Sequence, residues 1–416
     1  MAIKITAIHS RQVLDSRGNP TLETEVTSGK YTGTAIVPSG ASTGVHEALE
    51  LRDGTRHYNG QSVLTAVHHV NGLLTKKLLG RDVLNQQNLD ECMVTVDGTD
   101  NKSRIGANAI LSVSLAAARC AAASQHLSLH EHLGKGKILP IPFANVINGG
   151  KHAEGNLKIQ EFMIAPIKAK NFSEATMYIS EIYHTLKEII QNKYGKTAVH
   201  VGDEGGFAPP LYDPHDAISL IHKAIYELGY QDKVKLALDA AASEFDDRKV
   251  QRYAIENKKL LGREELLDYY LNLLKTYHII SLEDPFEQDD YHAFQELMKK
   301  TKIQIVGDDL LATNPKRIKE AIREKLCNCL LLKVNQIGTL TEALEAANVA
   351  TKAGWNVMVS HRSGDSEDTF ISDLAIALGC GQIKLGAPCR GERTSKYNQL
   401  LRIEEKLGRR ATYAKF

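Results

Sequence analysis

From about residue 233 the chain alternates short apolar runs with amphipathic stretches. The runs VKLALDAAAS, HIISLEDPF, IQIVGDDL, CLLLKVNQIG, WNVMVSHRSG and QIKLGAPC each end in polar residues. Runs this short, apolar on both faces, predict strands buried in a parallel sheet. Helical patterns separate most of them. NPKRIKEAIREK offers Asn314 as N-cap and Pro315 at the first helical position, and GTLTEALEAANVATKAG has Thr339 and Glu342 in capping-box spacing with Gly354 as a stop. Glu283, Asp308, Lys333 and His361 close four successive runs at intervals of 25, 25 and 28 residues. Each interval suits one βα unit and is too long for a hairpin, so an α/β barrel is expected, with a doubly wound sheet as the alternative.

The first 130 or so residues lack this rhythm. KITAIHSRQVLD and PTLETEVTSGKYTGTAIVPS read as antiparallel strands joined by the turn SRGNP, and helical stretches follow to about His132. The expectation is a small α+β domain over residues 1–134 and a barrel over 135–416. GANAILSVSLAAARCAAAS (106–124) is interrupted by Asn108, Ser112, Ser114 and Arg119, and so reads as a small-residue helix between layers, with no membrane span expected. Residues 244–272 look like an inserted surface loop.

Length and composition fit an ordinary globular chain of 416 residues, 43% hydrophobic and 24% charged. With 51 basic against 50 acidic residues the net charge is +1, which provides no field for nucleic acid or an anionic membrane. The N-terminal MAIKITAIHSRQ lacks the apolar stretch of a signal peptide. Six cysteines without a CxxC pair read as reduced core residues of a cytosolic protein.

In an α/β barrel the active site lies at the C-terminal ends of the strands. Asp239, Glu283 and Asp308 would converge there from three successive strands. As single residues each reads equally well as a cap or a salt-bridge partner. Three together repel strongly unless a cation intervenes, and an all-oxygen set favours a hard ion, Mg²⁺ before Zn²⁺. Lys333 comes next around the barrel. It is either a base with a depressed pKa or simply the partner that neutralises Glu283 or Asp308. The loops add Arg362 and Ser363 beside His361 as an anion clamp, and His152, Gln160, Glu161 and Glu204 on glycine-rich turns, where a paired acid facing a lysine base would suit general acid catalysis. VPSGASTGVHEALE (37–50) could cradle a phosphate or metal, though most such loops are only connectors.

The motifs SGASTG, GGKHA, QEFMI, VGDEGGFAP, LDAAASEF, SLEDPF, GDDL, LLLKVNQIGT, SHRSGDSEDTFI and RGERTSKYNQLLRIEE, with DSRGNPTLE before them, span nearly the whole chain. In order and spacing the chain resembles the enolase family of phosphopyruvate hydratases, of the bacterial type. The resemblance implies a small α+β capping domain followed by an eightfold barrel with an irregular first hairpin. It implies the reversible, Mg²⁺-dependent dehydration of 2-phosphoglycerate to phosphoenolpyruvate in glycolysis, with two Mg²⁺ per site. By residue-wise likeness Asp239, Glu283 and Asp308 hold the first ion and Ser42 the second. Lys333 takes the C2 proton; Glu204, supported by Glu161, helps the C3 hydroxyl leave. Arg362 and Ser363 meet the phosphate, while His152, Gln160, His361 and Lys396 bind or support the substrate, Lys396 adding charge against the dianionic intermediate.

Thr55 and Gly391 depart from the family pattern, but neither is a proposed catalytic position. A muconate-type relative would share the three carboxylates but lack SGASTG and SHRSG. A scaffold that had kept only the fold would not need every catalytic position filled. The resemblance further implies a homodimer or higher homo-oligomer and a cytoplasmic location, with a cell-surface or secreted pool in some members.

Overall fold

The computed structural model of the chain describes residues 2–41, 43–153, 155–247, 252–256 and 259–416. Ser42, the expected ligand of a second ion, lies outside the described residues. At the N-terminal end the strands Ala7–Leu14, Pro20–Ser28 and Tyr31–Ile36 form an antiparallel sheet in sequence order. Helix Ala107–Ser124 packs across it. It is long and apolar enough to cross a membrane, yet 89% of it is buried inside the protein, as its alanines and serines suggest. Small residues let the layers touch closely: a Cβ at Gly33 would stand 2.2 Å from the backbone N of Cys120.

Eight of the later strands close into a barrel. In order they are Ile141–Asn148, Glu161–Ala165, Lys235–Asp239, Ser281–Glu283, Gln304–Gly307, Cys329–Leu332, Asn356–Ser360 and Gly381–Lys384, the last pairing with the first. All are parallel except the second, which runs antiparallel to both neighbours. The irregular first hairpin is therefore present. Reversal brings the first residue of that strand, Glu161, level with the last residue of the third, Asp239.

Side chains alternate along a strand. Ile141, Phe143, Met163, Ala165, Ala237, Val306, Cys329, Leu331 and Met358 form an interior cluster, while Leu330 and Leu332 join the larger core outside. Two residues further along the inward phase come Asp239, Asp308 and Lys333, so the packing that fills the barrel also aims its polar mouth. The expected helix signals are used: Asn314 Oδ1 accepts from Lys316 N, with Pro315 beginning helix Pro315–Glu324, and Thr339 caps Leu340–Lys352. One expectation fails. Residues 244–272 are not a plain loop: they contain strands Asp246–Asp247, Arg252–Glu256 and Lys259–Leu261 and then most of helix Arg263–Tyr277. Tyr253, Ile255, Leu261, Leu266 and Tyr270 are buried and anchor it. The apolar residues there sit among so many charges that the sequence pattern masks them. All six cysteines are free.

Candidate active site

A narrow cavity opens at the C-terminal mouth of the barrel, lined by His152, Gln160, Glu161, Glu204, Asp239, Lys333, Ser360, His361, Arg362, Ser363 and Lys384. Most of the expected site residues gather here. Two expected ligands, Glu283 and Asp308, are reached through the lysines that they bind. Lys396 does not line it. It lies on helix Gly391–Leu407, fully buried, where Asp365 Oδ1 accepts from its ammonium at 2.8 Å and Ser366 O accepts as well. The group that helix sends to the site is Arg393, which donates to the carbonyls of Asp203, Arg362 and Ser363 and so ties the loops around 203 and 362 together.

Lys384 occupies the place expected of Lys396. It ends the last barrel strand, and its Nζ lies 2.8 Å from Glu283 Oε1, 3.0 Å from Asp239 Oδ2 and 3.1 Å from Glu161 Oε1. Burial works against its charge, but Asp239, Glu161 and Glu283 outweigh burial and push its pKa well above the usual lysine range. The signal was available in QIKLG, which closes its apolar run just as LLLK does.

Lys333 sits immediately after its strand and pairs with Asp308 at 2.5 Å. Its pKa is raised rather than depressed: burial opposes the charge, and Asp308 more than offsets burial. In this arrangement the neutralising role is the one on display. Asp308 Oδ1 also accepts from Gln336 Nε2 at 2.8 Å. The three predicted carboxylates therefore divide, Asp239 and Glu283 meeting on Lys384 while Asp308 turns to Lys333. Asp284 supports from behind, accepting the backbone N–H groups of Asp308 and Asp309 at 2.9 and 2.7 Å.

The mouth suits a hard cation. Glu161, Asp239, Glu283 and Asp308 face two ammonium groups. Glu161 Oε2 and Glu283 Oε2 are buried without a hydrogen-bond partner. Burial, and then the charge of Asp239, push Glu283 well above the usual carboxylate range. A divalent ion against Asp239, Glu283 and Asp308 would relieve the repulsion and the unmet acceptor of Glu283.

The second carboxylate pair is split in protonation. Burial, followed by the charge of Glu204, drives Glu161 well upward. Burial also opposes ionisation of Glu204, but His152, His361 and Arg393 overcome it and hold Glu204 well below the usual range. His152 Nδ1 lies between them, 3.5 Å from Glu161 Oε1 and 3.4 Å from Glu204 Oε1. His361 is neutral, burial pushing it down to about 4. Arg393 faces its Nδ1, which must accept, so the proton is on the Nε2 that faces Glu204 Oε1 at 3.4 Å.

Arg362 forms a two-pronged pair with Glu47 of the 37–50 loop, at 3.0 and 3.1 Å, and bonds Asn335. Ser363 Oγ accepts from Ala41 N, while Ser39 and Gly364 exchange backbone hydrogen bonds. The Gly/Ser/Thr loop is thus fastened to the anion clamp, although residue 42 itself is not described.

Barrel, converging carboxylates and paired lysines define an enzyme that binds an anionic substrate next to a cation and moves protons on it. Residues 5–133 match the family model for the enolase N-terminal domain, and residues 136–416 match that for the enolase C-terminal TIM barrel domain. The chain is 55% identical over 408 residues to "Enolase" of Methanocaldococcus jannaschii, covering 97% of this chain and 96% of that protein. It is 52% identical to those of Thermococcus gammatolerans and Pyrococcus furiosus, covering 99% of this chain and 96% and 97% of theirs. These relatives are archaeal. The chain belongs to the enolase family, and a divalent metal follows from that membership.

Proposed function

We propose that Lys333 and Glu204 divide the two bond-breaking steps of the reaction that this chain catalyses, the reversible dehydration of 2-phosphoglycerate to phosphoenolpyruvate. The observation that carries this reading is their placement: Lys333 and the Glu161–Glu204 pair line one cavity. Asp239, Glu283 and Asp308 would hold one Mg²⁺; a second, with Ser42, rests on the family resemblance alone. When bound, the metal supplies positive charge against the negative charge that develops on the substrate carboxylate. Lys384, touching Asp239 and Glu283, adds to that charge from the protein side.

With Asp308 among the residues that would hold the metal, Lys333 would lose the partner that keeps it charged. Arg362 and Lys384 already disfavour its ammonium, and the neutral amine can take the C2 proton. At the other end of the cavity the two glutamates titrate as a unit. The resting proton is on Glu161, and Glu204 acts on the C3 hydroxyl with the proton that the pair holds. Arg362 and Ser363 take the phosphate, with His152, Gln160 and His361 around the rest of the substrate. The division of the chain at 134/135 is supported by the gap between the two family matches. A cytoplasmic homodimer or higher oligomer, the remaining part of the reading, is supported by the resemblance.

Exchange of the C2 proton with solvent separates the two steps. Lys333→Ala should abolish exchange and turnover, whereas Glu204→Gln should keep exchange and lose dehydration. An alanine variant that still exchanged at the parental rate would remove Lys333 as the base.

A further inference from the structure

The first barrel strand carries a polar residue in its inward phase. Asn145 follows Ile141 and Phe143 on that face and is fully buried. Its Nδ2 donates to Glu204 Oε2 at 3.0 Å, and its Oδ1 is buried without a hydrogen-bond partner. The orientation of the amide follows from chemistry, since an ionised carboxylate only accepts. Pairing with the second strand shifts here: Asn145 opposes Met163 and Ile147 opposes Phe162, leaving Val146 as an extra residue. Such a bulge bends its strand and redirects side chains.

The Glu204 loop is fastened to this bulge by its backbone. Phe207 N donates to Val146 O, and Asn148 N donates to Phe207 O, both at 2.9 Å. The contact is so close that a Cβ on Gly206 would stand 2.3 Å from Asn148 Oδ1 and 3.0 Å from Asn145 O. Asn145 adds a side-chain tie to the catalytic carboxylate itself. It fixes Oε2, so that Oε1 is the oxygen facing His152 and His361. Asn145 is not among the residues lining the cavity. A buried amide with half its capacity unmet is a poor packing element, because an apolar side chain of similar shape avoids the desolvation cost. Its donor is what the position gains.

We propose that Asn145 is a positioning residue for the dehydration step, holding Glu204 Oε2 so that Oε1 is presented to the departing C3 hydroxyl. This rests on the assignment of Glu204 made above.

The test compares Asn145→Ala and the similarly shaped, donor-free Asn145→Leu with the parent, as full chains with Mg²⁺. The measurements are kcat and KM for 2-phosphoglycerate, and C2-proton exchange. A hydrogen bond to a charged group is worth about 10- to 100-fold in rate. The alanine variant should lose that factor in kcat while KM and exchange stay within about twofold. The leucine variant, which keeps the number of side-chain heavy atoms but has no donor, should lose as much. In a Glu204→Gln background, Asn145→Ala should add no further loss, since Asn145 acts only through Glu204. Parallel loss of exchange and turnover, an additive loss in that background, or parental kcat in the leucine variant would each overturn the proposal. Should the alanine variant not fold, the leucine variant decides by the same readouts. If Glu204→Gln alone kept full turnover, the assignment of Glu204 would be what had failed.

Discussion

Lys384→Met keeps the length of the side chain and deletes one charge from the most crowded point of the barrel. Three carboxylates lie within 3.1 Å of that ammonium, and the side chain is 2% exposed. Removing one partner of a buried ion pair costs about 3–5 kcal/mol, because the remaining charges stay buried and unpaired. Unfolding entropy of about 2.1 cal/mol/K per residue gives about 0.9 kcal/mol/K for this chain, so the melting temperature should drop by about 3–6 °C. Calorimetry in chelator at pH 8 reads this directly. The deficit has a sign in pH. Glu161 and Glu283 already have raised values, and losing the ammonium raises them further. A carboxyl raised in the folded state destabilises in full above that raised value, and the penalty shrinks as pH falls from there toward the unfolded value of about 4.3. The variant should therefore approach the parent toward pH 5. Excess Mg²⁺ at pH 8 should also narrow the gap by supplying the missing charge. A variant as stable as the parent at pH 8 in chelator would refute the reasoning, for it would mean the three acids tolerate one another without a cation.

Exhaustive chelation of the parent should stop turnover and lower its melting temperature, both restored by Mg²⁺; activity that survived would remove the metal from the account. Asp53 accepts from the N–H groups of Leu64 and Thr65 at the start of helix Leu64–His69. Burial works against its charge, but hydrogen bonds from Ser62, Thr65 and Leu64 outweigh burial and lower its pKa to about 2. Its contribution to stability should be complete above about pH 4 and vanish as pH falls through about 2, so Asp53→Asn should match the parent only in strong acid. Gly33→Ala forces a methyl against the backbone of helix Ala107–Ser124 and should cost about 1–3 kcal/mol in urea unfolding, with kcat unchanged in the folded fraction.

Part of the candidate site was legible because several of its side chains follow a short apolar run. Asp239, Glu283, Asp308, Lys333 and His361 could be read from that position alone. Lys384 obeys the same rule and was missed only because the resemblance drew attention to a lysine in RGERTSK. That motif lies on a helix, where a charged residue facing inward meets neighbouring loops rather than the barrel axis, and Lys396 accordingly serves Asp365. Glu161 could not be placed by the strand-end rule. It begins its strand, and only the reversed direction of that strand brings it to the mouth. Asn145 was hidden within an apolar run, where nothing marks one residue as sitting on a bulge. Whether Lys333 pairs or reacts was open in the sequence, because the answer depends on which partner holds Asp308.

The alternation of side chains along the barrel strands bears on how such a protein can vary. Insertion or deletion of a single residue within Cys329–Leu332 would rotate Lys333 out of the mouth and carry a leucine in. Every hydrophobic residue of the strand would exchange environments at the same time. A substitution at Lys333 changes one side chain of the mouth, whereas a shift by one place upsets mouth and core together. Length changes should therefore be confined to the connections between strands, and the spacing inside each strand is as much a catalytic requirement as the residue that ends it.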